Sequence, residues 1–149
     1  MEEYNVVTEK TALGRLPFLC GTSAAAVCRE LGITPQQFAD WVKLRRPIPI
    51  ERIAQLSALF GVPEYMIADE GRFSRKLDAL LENALERAVV ARKLEAAEGE
   101  DRALLASRAG ELEAEAAKRA RLSRLARILE KADDATLTLV DAFLEELDK

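Results

Sequence analysis

Gln36, Gln37, Asp40 and Lys43 are the polar positions of a short stretch whose apolar positions, Phe38 and Trp41, stand three apart. On a helix that spacing turns Phe38 and Trp41 inward and leaves the four polar residues outside. A glutamine near the start of a helix lying in a major groove can pair through its amide with adenine N6 and N7, worth roughly 1–3 kcal/mol of discrimination. An aspartate can accept from cytosine N4. Lys43, Arg45 and Arg46 fall at the far end of the helix and in the loop after it, where phosphates run, so their charges would position rather than read. Arg29 and Arg52 on neighbouring helices, and the Thr34 hydroxyl, are further candidates for phosphate. Each arginine has an equal alternative use in a surface ion pair. Asp40 has the alternative of a solvated charge. For Trp41 core packing is the preferred use, and Gln37 has a competing use in a helix cap, which makes Gln36 the better reader.

These residues need a helix held at a fixed angle. Gly32 ends a first helix, Ser23–Leu31, capped by Thr22 or Ser23. Thr34, Pro35 and Gln37 then spell a capping box with proline at the first helical position, opening a second helix to about Leu44. Pro47 and Pro49 forbid its continuation. Two helices crossing through so short a turn need a small contact residue, a turn glycine and apolar residues beneath. Cys28, Gly32 and Ile33, with Val27 and Leu31 on one helix and Phe38 and Trp41 on the other, meet that need. Ile50–Phe60 and Pro63–Ala68 read as two more helices. Thr11–Leu16 is a weaker first one, because Gly14 and Pro17 oppose it.

The stretch Ser23–Glu70 resembles the Cro/repressor (XRE-like) helix-turn-helix family, especially its YdaS-like Cro branch. The likeness rests on WVKLRRPIPIER, Trp41 to Arg52, and on ALFGVPEYMI, Ala58 to Ile67. It covers about a third of the chain and stops near Gly71. It implies a compact five-helix, lambda-repressor-like domain whose second motif helix enters the major groove, and a bacterial or phage transcriptional regulator of repressor type. Double-stranded DNA is the implied partner.

The formal net charge of −4 runs against such a partner. Residues 1–70 carry 7 Lys/Arg and 9 Asp/Glu, so the opposition is not confined to the second half. The basic run Lys43–Arg52 is local, and phosphates respond mainly to charges within about 8–10 Å. With no histidine, no phosphate-binding loop and no nucleophile beside a base, no catalytic constellation is expected, and no enzyme. Cys20 and Cys28 have no zinc spacing and read as reduced thiols, so neither a metal nor a cofactor is expected. No segment reaches the roughly 18 apolar residues of a membrane span. The acidic start MEEYNVVTEK does not read as a signal peptide, and a cytoplasmic protein is expected.

Past Gly71 there is no proline, and only Gly99 and Gly110 remain. A domain boundary is therefore placed near Asp69–Gly71. Residues 1–70 form the helix-turn-helix domain, expected by itself to fold as a monomer and to bind operator weakly, and residues 71–149 a helical oligomerisation or regulatory domain. Phe73, Leu77, Leu80, Leu81, Ala84, Leu85, Ala88, Ala91 and Leu94, then Leu105, Ala109, Leu112, Ala116, Leu122, Leu125, Ala126 and Leu129, follow the spacing of a helical stripe, mostly three or four apart. A break at residues 98–101 would make a hairpin or coiled coil, and Asp133 or Asp134 caps a last helix with Leu137, Val140, Phe143, Leu144 and Leu147 on one side. The chain as a whole is expected to be all-α and to self-associate through residues 71–149 as a dimer or larger. That tail is also open to an effector or a second protein. The rival reading is a helix-turn-helix fold that acts as an adaptor or antitoxin-like interaction module, which the net acidity favours.

Overall fold

A computed structural model describes residues 10–149, so the reading of the acidic amino terminus lies outside the described residues. Among the described residues there are eight helices and no strand: α1 (Ala12–Leu19), α2 (Ala24–Leu31), α3 (Pro35–Val42), α4 (Ile50–Phe60), α5 (Glu64–Ile67), α6 (Ala79–Ala96), α7 (Gly99–Glu130) and α8 (Asp134–Leu147). No helix among them is long and apolar enough to cross a membrane. The chain divides into two compact units, ending at Glu113 and beginning at Ala114.

In the first unit α1 forms in spite of Pro17, which lies inside it and donates no bond. Burial outweighs the defect: Ala12, Leu13, Leu16 and Pro17 are all buried. Thr11 caps the helix and also donates its hydroxyl to Val42 O at 3.0 Å. Gly32 closes α2 at φ 67°, a conformation that an L side chain rarely adopts, and Ile33 then tucks under the turn at 8% exposure. Phe38, Trp41, Ile48, Ile53, Leu56, Phe60 and Ile67 complete the core around them.

Residues between Gly71 and Asp78 take no helix, although Phe73 and Leu77 fit helical spacing. Their backbone is paired elsewhere. Ile48 N donates to Arg72 O at 2.7 Å, Ala12 N to Arg75 O at 2.8 Å, and Leu77 N to Lys10 O at 2.9 Å. Buried Ser74 accepts from Leu13 N at 3.1 Å. Asp78 then caps α6.

Helix α6 does not stand apart from the five helices before it. Leu81, Leu85 and Val89 are buried in their core, while Leu80 is 66% exposed. Arg92 caps the end of α4 by donating to Ala58 O and Leu59 O, and Lys93 does the same for α1 through Leu19 O. The compact unit therefore extends well past the composition break at Asp69–Gly71. The chain turns at Gly99, φ 60°, and α6 and α7 pair as a hairpin. Asn83 Nδ2 donates to Leu112 O at 3.1 Å, and Arg108 grips Glu86 with two bonds of 2.7 and 2.8 Å.

The Arg108 bond holds the Glu86 carboxyl below its ordinary value of 4.5. A carboxylate whose folded value is lowered adds stability above its unfolded value and loses it as the pH falls through the folded one. The unfolding midpoint of Glu86→Gln should therefore lie below that of the parent at pH 6 and approach it near pH 3. A constant gap across that range would mean the charge of Glu86 is not what matters.

In the second unit the distal part of α7 leads through Lys131 and Ala132 into α8, capped by Asp133, whose carboxylate accepts from Thr136 N at 2.8 Å.

Candidate nucleic-acid interface

The short helix α3 is anchored at both ends. At its start the Thr34 hydroxyl accepts from Gln37 N at 3.1 Å, and Gln37 Oε1 accepts from Thr34 N at 2.9 Å. At its end Val42 O takes the Thr11 hydroxyl. Phe38 and Trp41, each 4% exposed, fix its rotation. The outward side then presents Gln36, Ala39, Asp40 and Lys43.

Asp40 is the centre of a small network. Its carboxylate accepts from Gln36 Nε2 at 2.9 Å and lies 3.5 Å from Arg45 and 3.6 Å from Arg46. Its backbone carbonyl accepts from Arg45 N and Arg46 N, which wraps the chain tightly after α3, with Leu44 at φ 63°. Both guanidinium groups remain mostly in solvent, at 57% and 76% exposure. Together with exposed Lys43 the cluster carries three positive charges against one negative. Asp40 itself is only 16% exposed, but with the arginine ends in solvent and separations of 3.5 and 3.6 Å the pairs are weak, on the order of 1 kcal/mol, so either arginine can turn from Asp40 to a phosphate.

The structure thus brings Gln36, Asp40, Lys43, Arg45 and Arg46 together on one face. Gln37 and Thr34 sit beside them but are engaged with each other in the cap. Arg52 is placed differently: it is half-buried and donates to Leu31 O at 2.8 Å and to Gln55 Oε1 at 2.9 Å, closing the end of α2. Arg29 is exposed on α2.

Two contributors were not singled out from the sequence. Ala39 lies on the same face as Gln36, three residues on, and a methyl group there suits contact with a thymine methyl. Its signal was the spacing. The start of α2 borders the same side: Ser23, Ala24, Ala25, Pro35, Ala39 and Lys43 all line one shallow groove. Ser23 Oγ accepts from Ala26 N, so the amides of Ala24 and Ala25 have no partner within the helix and can serve an anion.

Cys28 also lines that groove, and Cys20 does not. Burial raises both thiols above their ordinary value, and Cys28 Sγ lies 3.8 Å from Thr34 O, beneath the turn. No group of three metal-ligating side chains occurs among the described residues. Comparison with protein-family models, with curated proteins and with solved structures gave no match.

Proposed function

We propose that α1–α5 are a lambda-repressor-like helix-turn-helix domain of the Cro/repressor type, and that the chain is a sequence-specific DNA-binding transcriptional regulator acting as a dimer or larger. The observation that carries this is the outward side of α3: a helix capped and anchored at both ends, with Gln36 near its start and Lys43, Arg45 and Arg46 at its finish. In this reading α3 lies in the major groove. Gln36 reads an adenine, Ala39 contacts a neighbouring base, and Lys43, Arg45 and Arg46 hold phosphates with the amides at the start of α2. Arg29 reaches a phosphate from the side of α2. Asp40 serves chiefly to align Gln36 and the two arginines, since its carboxylate already faces all three. Arg52 supports the end of α2 rather than touching DNA.

Gln36→Ala tests the assignment. Affinity for the preferred duplex should fall by about 1–3 kcal/mol while affinity for unrelated duplexes is unchanged. Equal losses on both would make Gln36 a structural residue, and no loss on either would remove it from the interface. The net charge of −4 favours a second reading, an interaction module that keeps the fold without DNA binding.

A further inference from the structure

The unit from Ala114 to Lys149 has no core: none of its residues is buried. Leu122, Leu125 and Ile128 on α7, and Leu137, Leu139, Phe143, Leu144 and Leu147 on α8, are 38% to 72% exposed. Leu137, half-buried Val140, Leu144 and Leu147 follow the alternating three- and four-residue spacing of a bundle seam. Full burial of one such side chain removes roughly 60–120 Å² from water. At these exposures the eight together offer on the order of 500 Å² of apolar surface. With the usual polar share of a homodimer interface, that approaches the ~800 Å² per partner of a stable one.

Charge says what covers it. Residues 114–131 carry Lys118, Arg119, Arg121, Arg124, Arg127 and Lys131 against Glu115 and Glu130, a net of +4. Residues 132–149 carry Asp133, Asp134, Asp141, Glu145, Glu146 and Asp148 against Lys149, a net of −5. Among the described residues no ion pair joins these opposite charges. The unit's ion pairs, Arg119–Glu115 and Lys149–Glu146, each stay within a few residues on one side of the turn. A two-fold arrangement of identical units satisfies both surfaces twice over, because each chain supplies one basic and one acidic helix.

We infer that a second copy of this chain docks here, with the basic distal part of α7 lying along the acidic α8 of the other protomer and the apolar seams closed between them. The dimer surface is thereby confined to residues 114–149, and the apolar stripe of α6 has no part in it. The inference rests on the dimer of the proposed function and gives it a surface, but none of the residues involved touches DNA in that reading, so its failure leaves the roles of Gln36, Lys43, Arg45 and Arg46 to their own tests.

The test uses the full chain in sedimentation equilibrium without DNA. The parent should run at twice its 16.5 kDa mass at micromolar concentration. One variant carries Arg121→Glu, Arg124→Glu and Arg127→Glu, and a second carries Asp141→Lys, Glu145→Lys and Glu146→Lys. Each alone faces like charge with like and should be monomeric, and an equimolar mixture should regain the doubled mass. A monomeric parent, variants that dimerise alone as the parent does, or a monomeric mixture of variants with parental helix content would each overturn the inference. Should a variant lose its helix content, the parent decides. Its dissociation constant should rise about tenfold or more between 0.05 and 0.5 M NaCl, and a salt-independent dimer would refute the charge pairing.

Discussion

With Lys43, Arg45 and Arg46 all replaced by Ala, binding to every duplex should weaken alike, by about 10²-fold or more at 0.1 M salt. Each phosphate contact releases condensed counterions, so the slope of log affinity against log salt should also flatten by about 1 for each true contact. The geometry makes the triple change safe for the fold. The three side chains are exposed, and the turn after α3 is held by backbone bonds to Asp40 O that alanine keeps. Asp40 would lose both guanidinium neighbours and become an unscreened negative charge on the face, which adds to the loss. Titrations at several salt concentrations check this. Parental affinity and slope in the variant would place the phosphates elsewhere on the molecule.

A chain ended after Glu70 should lose its cooperative unfolding transition, and one ended after Glu113 should keep it. The sequence alone suggests that the first piece folds by itself, because the breaker residues stop at Gly71. The core packing argues the other way. Leu81, Leu85 and Val89, at 5%, 0% and 3% exposure, belong to the same core as Leu13 and Leu56. Loss of one large buried aliphatic side chain costs about 2–5 kcal/mol, so losing three is comparable to the ~5–15 kcal/mol that holds a domain together. Ser74, the partner of Leu13 N, and the caps from Arg92 and Lys93 would go as well. Thermal melts followed by circular dichroism distinguish the two pieces. A sharp parental melt for the piece ending at Glu70 would show α6 to be dispensable.

Where local chemistry decides, the residues spoke clearly. The Thr34–Gln37 capping box, Gly32, and the prolines at 47 and 49 bound α2 and α3 without reference to anything distant. Ile50–Phe60 was likewise readable end to end. Helix α1 was harder, since Pro17 is a local defect offset by distant burial. The stripe of α6 was legible as a stripe, but periodicity does not name its partner. Leu81 and Leu85 look the same whether a second chain or the chain's own core covers them. Residues 73 to 77 fit a helix by spacing, and only the orphan backbone groups of Lys10, Ala12 and Ile67 explain why they run extended. Long cations were the least legible. Arg52 and Arg92 reach helix-end carbonyls, a destination that spacing does not encode, whereas Arg45 and Arg46 turn to Asp40 close by.

The most direct test of the proposed function is selection by the full chain from a pool of random duplexes at 50 and 200 mM salt. One enriched motif of two half-sites is expected, centred about one helical turn apart or a multiple of it, with affinity falling steeply between the two salt concentrations. Failure to retain any duplex at 50 mM salt would contradict it and leave the acidic chain as a protein-interaction module.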